Sequence, residues 1–469
     1  MKKLSTSFYF KVGLIGVVLL SLYTGLADSD WYWQVKLGES IVKYSRFNDF
    51  SSIVWVKDLG YYLDHEWLSN VIFYLLSLLP YGMIITKVLL VSLCCFSTYI
   101  FIFNHKRSDN TLVVVSTLFL LFICSITVFK VKPYMFSYIF LLLELYFLDN
   151  INTLKGKIGL VLISILWINM HGSYPLFIGV FGLYILFNIK SGFKDNVLTF
   201  IASFLGSFIN PFGYKLVLFN LLHNNNSIMK VLIQDWKCVD CKTSLGVVVF
   251  LVITFYILLL SLSKVKFDFG LVLSIITLFM TLGSARHLLY FVVSIIYLLN
   301  TLSINIKPGK KFVFICSYLS VVIGTASSIS LFSTGNFRKD YMFNFVDYST
   351  VNNIKSVYKD VDYKGLFLNS GFNAVLGDDI KTFTCGIYPL VENEVKDEIY
   401  MTWYSSTKDI EKIIKHYDLT GFVVDKYSNY EGYTSESVLY QYLSNSSDYI
   451  CLNDTENYGF FVKKSLVNK

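Results

Sequence analysis

The sequence predicts an α-helical polytopic membrane protein of about eleven spans, N-terminus inside and C-terminus outside, ending in a small extracytoplasmic α/β domain. Three observations predict it. The 469 residues are 54% hydrophobic and only 16% charged, whereas a soluble chain carries about a quarter charged residues. Apolar runs of bilayer length recur as far as residue 333 and then stop. Lysines and arginines gather in every second loop between those runs, as the positive-inside rule requires.

The runs, in order, are 8–26, 82–103, 110–129, 133–150, 157–170, 174–190, 195–210, 243–263, 267–283, 285–304 and 311–333. Lys2 and Lys3 set the N-terminus inside. The inside loops then hold Lys106 and Arg107, Lys155 and Lys157, Lys190 and Lys194, Lys264 and Lys266, and finally Lys307, Lys310 and Lys311. Among the short outside loops only one basic pair occurs, Lys130 and Lys132. Residues 1–27 also fit a signal peptide, with Gly25-Leu-Ala27 as a small-x-small cleavage pattern. The charge alternation favours a retained first span. The segment 67–79 is too short to span, and Pro80-Tyr-Gly82 ends it, which suits a re-entrant or interfacial helix.

Domain 1–333 is thus the membrane part, with long outside loops at 27–81 and 211–242, and domain 334–469 is the α/β part. The latter is polar throughout. Gly365-Leu-Phe-Leu-Asn369, Lys381-Thr-Phe-Thr384, Gly421-Phe-Val-Val-Asp425 and Tyr458-Gly-Phe-Phe-Val462 read as short strands. Ile410, Ile413, Ile414 and Tyr417 fall at helical spacing within 406–417, and a second helix is expected over 437–443. The domain holds no glycine-rich phosphate loop and no catalytic-triad spacing.

The net charge of +7 is accounted for by the inside loops, so nucleic acid is not an expected partner. Cys94, Cys95, Cys124 and Cys316 lie in apolar runs and read as small core residues. Cys238-Val-Asp-Cys241 is a lone CxxC with no second ligand pair nearby, which argues against zinc. In an outside loop it could form a local disulfide or stay as free thiols.

Chemistry-bearing residues gather on the outside. Asp28-Ser-Asp30 follows the first apolar run, with Trp31, Tyr32 and Trp33 behind it. On an extended turn, residues two apart point the same way, so both carboxylates could meet one ligand. Such a pair can bind a divalent cation with phosphate oxygens, or one acid can act as general base. The ordinary alternative is a pair of acids marking a wet helix end. Asp64-His-Glu-Trp67 adds acid, imidazole, acid and indole to the same loop. Trp167-Ile-Asn-Met-His-Gly-Ser-Tyr-Pro175 places Asn169 and His171 between two broken spans, where polar groups line cavities or cap helices. Asn210-Pro-Phe-Gly213 is turn chemistry, and Asp235 stands in the loop after it. Arg286 opens a late span on the outside, where an arginine suits a phosphate or snorkels to headgroups.

Taken in order, these motifs resemble the bacterial multi-pass membrane proteins grouped with the GT-C glycosyltransferases, which use polyprenyl-phosphate sugars. The resemblance is carried by Asp28, Asp30, Trp31, Trp33 and Gly38; by His65, Glu66, Trp67 and Leu68; by Asn169, His171 and Gly172; by Asn210, Pro211, Phe212 and Gly213; and by Arg286. It covers the membrane part, with a C-terminal domain of similar style. It implies inverting sugar transfer on the outer face, with a first-loop Asp as general base. Two positions depart from the pattern: Gln34 stands where a His is expected, and Cys385-Gly-Ile387 where an Asp-Gly-Arg is expected. The first bears on any metal site, the second on a role for the tail.

The expected function is therefore transfer of a sugar from a polyprenyl-phosphate donor to an envelope glycan, lipid or protein acceptor. Asp28 and Asp30 are the expected catalytic pair, with Mg or Mn as the cation if they bind one. His65, Glu66, Trp67, Asn169, His171, Asp235 and Arg286 are the expected substrate-binding residues. The alternative is a non-catalytic or transport protein of envelope polysaccharide biogenesis, a flippase, polymerase or assembly factor. A transporter would show charges at mid-membrane and repeated halves, and neither stands out in the sequence.

Overall fold

The structure is a computed structural model and describes residues 5–23, 30–47, 63–104, 111–222, 236, 238–304, 309–333, 366–368, 407–416, 419–430, 433–454 and 458–467. The described residues fall into two compact units. One comprises 5–23, 65–69 and 76–333, and the other comprises 30–47, 63–64, 70–75 and the described residues from 366 onward.

Each of the apolar runs is a helix. In chain order they are α1 (Thr6–Tyr23), α4 (Gly82–Asn104), α5 (Thr111–Thr127), α6 (Tyr134–Asp149), α7 (Leu154–Met170), α8 (Pro175–Phe187), α9 (Phe193–Gly206), α11 (Ser244–Ser261), α12 (Phe269–Gly283), α13 (Leu288–Thr301) and α14 (Lys310–Ser333). Three further helices stand between them: α2 (Asp30–Tyr44), α3 (Trp67–Ser77) and α10 (Tyr214–Leu222). Among the described residues three helices are long and apolar enough to cross a membrane: Gly82–Asn104, Ser244–Ser261 and Lys310–Ile329. Faces they leave uncovered are apolar, as at Phe96, Phe250, Ile257 and Phe314.

Local sequence sets the helix ends. Thr153 and Thr243 cap α7 and α11 by accepting from the amides of Gly156 and Gly246, each at 3.0 Å. Asp268 does the same for α12, accepting from Leu271 at 2.9 Å. Such caps are worth about 1 kcal/mol each. After α3 the chain turns through Tyr81, whose φ of 59° is left-handed.

Between helices, hydroxyls bond across interfaces: Thr98 to Tyr138 at 2.7 Å, Tyr256 to Ser274 at 2.8 Å and Thr277 to Ser294 at 2.6 Å. The pair α1 and α14 packs backbone to backbone. Ser320 Oγ donates to Gly13 O at 3.0 Å, and Ser328 Oγ donates to Leu19 O at 2.8 Å. A Cβ at Gly16 would stand 2.4 Å from the Ser320 carbonyl carbon, and one at Gly324 2.5 Å from Gly16 O. Small residues allow this approach, as they do between membrane helices generally.

Two ionisable side chains are buried within the helices. Lys87 of α4 and Glu144 of α6 are both 0% exposed. Among the described residues neither carboxyl oxygen of Glu144 has a hydrogen-bond partner.

In the other unit, α2 packs on residues 70–75. A Cβ at Gly38 would meet Asn70 O at 2.1 Å, and the Trp31 and Phe73 rings are 5.2 Å apart. Farther along, the unit is α/β. Besides the two-residue pair β1 (Ser263–Lys264) and β2 (Ser303–Ile304) of the first unit, strand β3 (Leu366–Leu368) runs parallel to β4 (Gly421–Asp425), β5 (Tyr427–Tyr430) pairs with β6 (Tyr433–Glu436), and β4 pairs antiparallel with β8 (Tyr458–Lys463), itself antiparallel to β7 (Tyr449–Asp454). Helix α15 (Thr407–His416) sends Ile410, Ile413 and Ile414 into a core with Phe422, Val424 and Phe461, joined by Leu439 and Leu443 of α16 (Val438–Asn445). The expected strand at 381–384 lies outside the described residues. Cys238 and Cys241 are exposed free thiols, and Cys94, Cys95 and Cys124 are buried.

The α1–α14 contact generates a prediction. Gly16→Val forces the two backbones apart and is expected to destabilise by about 1–3 kcal/mol. Gly179→Val is the control, since nothing lies within 4 Å of a Cβ there. Thermal unfolding of the purified variants in nanodiscs checks both, with a lowered midpoint expected for Gly16→Val alone.

Candidate functional site

Two motifs about a hundred residues apart dock against each other. Segment 65–69 leads into and begins α3, and segment 169–172 ends α7. Their side chains meet in series. Trp67 Nε1 donates to Asn169 Oδ1 at 2.8 Å, and Ser69 Oγ donates to Met170 O at 2.6 Å. Glu66 Oε1 lies 3.5 Å from His171 Nε2 and 3.8 Å from His65 Nε2. At Gly172 a Cβ would be 2.5 Å from His65 Cδ2, so glycine is what lets the imidazole close on the turn. Asn169 extends the contact to a third motif, because its Nδ2 donates to Ile209 O at 3.0 Å. There Asn210 closes its own turn, accepting from Phe212 N at 2.8 Å and donating to Gly213 O at 3.0 Å.

His171 is the centre of the cluster, 3% exposed. Its Nδ1 lies 2.7 Å from Ser137 Oγ and 2.8 Å from Ser173 Oγ, and Trp167 Nε1 donates to Ser173 Oγ at 3.0 Å. Burial first, and then the charge of Arg286, holds the imidazole well below its usual range. The ring is therefore neutral, and its approach to Glu66 is a polar contact rather than an ion pair. The carboxylate facing Nε2 assigns the proton to that nitrogen, since an ionised carboxylate only accepts. Nδ1 then accepts from a serine hydroxyl. The polar contacts thus run in series from the Trp167 N–H through the serine pair to His171, whose Nε2 faces Glu66.

Arg286 sits in a short 3-10 turn, Ala285–His287, ahead of α13. Its guanidinium stacks 4.2 Å over the Trp236 ring, a cation–π arrangement that holds the charge in place. Tyr290, one turn along, interacts with Ser137, Ser173, Arg286 and Glu66. Beside the docked motifs lies an open cleft of about 490 Å³, walled by Trp67, Leu68, Ile165, Leu166, Phe208 and Ile209.

Of the sequence-predicted residues, His65, Glu66, Trp67, Asn169 and His171 come together, and Arg286 acts on His171 electrostatically. Asp28 and Asp235 lie outside the described residues. Asp30 belongs to the other unit. It does not continue an extended turn, as expected, but opens helix α2, where its Oδ1 accepts from Trp33 Nε1 at 3.1 Å. Asp64 is in that unit too, with both oxygens accepting from Asn70 Nδ2 at 3.0 Å. Sequence reasoning missed Ser137, Ser173 and Tyr290. Only Ser173 carried a signal, as the residue after His171-Gly172. Among the described residues no three His, Cys, Asp or Glu side chains converge as metal ligands. Any role for Mg or Mn would fall to Asp28 with Asp30.

The neutral histidine has a pH consequence. As pH falls through about 6.5, an unfolded chain takes up a proton on this ring and the folded chain does not. Its contribution is therefore intact above that pH and declines below it, by up to about 1.4 kcal/mol per pH unit. The unfolding midpoint of the wild type is expected to drop from pH 7 to about pH 5, and His171→Gln is expected to flatten that slope. An unchanged slope would remove His171 from the account. A comparison with protein-family models finds no match for this chain, and a search of curated proteins finds none similar to it.

Proposed function

We propose that this chain is a multi-pass membrane glycosyltransferase of the GT-C kind, moving a sugar from a polyprenyl-phosphate donor to an acceptor hydroxyl on the outer face. The single observation that carries this reading is the docking of 65–69 on 169–172, with the charge of Arg286 acting on the buried His171. Carboxylate, imidazole and indole groups meet there, under the charge of Arg286, at helix ends, the depth at which a lipid-borne phosphate is presented. In this reading the eleven apolar helices all cross the membrane, the N-terminus is inside, and residues 334–469 are extracytoplasmic.

The proposed roles follow from the chemistry. Asp28 or Asp30 takes the proton of the acceptor hydroxyl, and the other acid positions the acceptor. The freed oxygen bonds to the anomeric carbon as the bond from that carbon to the phosphate oxygen breaks, inverting the centre. Polyprenyl phosphate departs with the bonding electrons, and Arg286 stabilises the charge that collects on it. His65, Glu66 and His171 shape the sugar pocket, with Trp67 and Asn169 fixing their frame. Asp235 adds a further acid on the outside. The isoprenoid lies in the apolar cleft beside Trp67 and Leu68.

Envelope glycan mass spectrometry tests the reading. A strain lacking the chromosomal copy is complemented with wild type, Asp28→Asn, Asp30→Asn or Arg286→Ala, and protein levels are matched. Loss of one sugar mass in the deletion is expected, restored by wild type. One Asp variant should fall at least about a hundredfold short, and Arg286→Ala about tenfold to a hundredfold short. Full glycan from both Asp variants sinks the catalytic pair and moves the assembly or transport reading ahead.

A further inference from the structure

Helix α10 carries a side chain that none of the roles above uses. Asn220 is 2% exposed, and among the described residues neither its Oδ1 nor its Nδ2 has a hydrogen-bond partner. A primary amide buried in this way gives up its water and regains nothing, which sequences tolerate where the group serves a ligand. Its surroundings identify the place. Asn220 Oδ1 lies 3.5 Å from the point that a Cβ on Gly172 would occupy, and that point is 2.5 Å from His65 Cδ2. The ring of the preceding residue, Phe219, stands 5.5 Å from the His65 imidazole. The unpaired amide thus lies at the edge of His65, beside the turn that holds His171.

We propose that Asn220 is a recognition residue of this site, and that its amide binds an adjacent pair of sugar ring hydroxyls at the edge of His65. The sugar as ligand rests on the transferase reading. A carboxamide offers an acceptor oxygen and a donor nitrogen side by side. Two neighbouring hydroxyls, one donating and one accepting, complement it. A phosphate or carboxylate is a poor occupant, because a neutral amide cannot balance a buried charge. The subsite therefore reads the sugar, and the phosphate is left to Arg286. A buried group that must be hydrogen-bonded discriminates strongly against a ligand lacking the hydroxyl.

The test uses the full chain in lipid nanodiscs, as wild type and as Asn220→Leu. Thermal unfolding is followed with no addition and with the methyl glycosides of glucose, galactose, mannose or N-acetylglucosamine at millimolar concentration. Unliganded Asn220→Leu is expected to unfold at or above the wild-type midpoint, because the amide removed had no partner. At least one glycoside should raise the wild-type midpoint by about 3 °C, and Asn220→Leu should lose at least about half of that shift. A fall of more than about 3 °C in the unliganded variant assigns the amide to the protein's own packing and overturns the proposal. Equal glycoside shifts in the two proteins overturn it, as does the absence of any shift in the wild type. If the shift is lost in Asn220→Leu while the deletion strain keeps every glycan mass, the subsite stands and the transferase reading falls.

Discussion

Gly172 has no side chain because the imidazole of His65 stands where one would go. That close approach governs the membrane unit's polar site. With His65 seated on the turn, Glu66 comes within 3.5 Å of His171, Trp67 reaches Asn169, and Ser69 reaches the carbonyl of Met170. The contacts come from two short stretches, so displacing one shifts the rest. In a medium of low dielectric each bond is stronger than in water, and each one left unmade costs more. The geometry is held by the penalty for breaking it as much as by the gain from making it.

The histidine at its centre is controlled by what surrounds it. Two serine hydroxyls face one nitrogen and a carboxylate faces the other, while burial and Arg286 oppose a positive charge. The ring can therefore orient its neighbours without competing with Arg286 for an anion. Glu144 and Asn220 stand in contrast. Both are buried in the same unit with polar atoms that no described residue satisfies.

Much of the fold was legible in the sequence. Long apolar runs become helices because every backbone amide must find its partner within the run once water is absent. The helix 407–416 was legible from its isoleucine spacing, and β4 from its apolar run. Helix α2 was not, because its apolar positions are spread among Gln34, Lys36, Gly38 and Glu39. The signal was there in the spacing of Trp31, Gln34 and Leu37, all of which are buried. Strands 427–430 and 433–436 are polar and, among the described residues, pair only with each other, which no hydrophobic pattern announces. At the site, the sequence supplied the motifs but not their pairing. His65, Glu66 and Trp67 meet 169–172 through tertiary packing, and Ser137 and Tyr290 come from helices whose patterns say only that they are apolar.

The contact of α1 with α14 also says something about biosynthesis. Ser320 bonds to a carbonyl 307 positions earlier. In the proposed eleven-span topology, the helix around Gly16 enters the bilayer with a glycine-lined groove open to lipid, and its partner α14 is made about three hundred residues later. Every helix inserted in between must leave that groove reachable. A ribosome that stalls before residue 320 would therefore release a chain whose first helix lacks its final neighbour, a natural handle for membrane quality control.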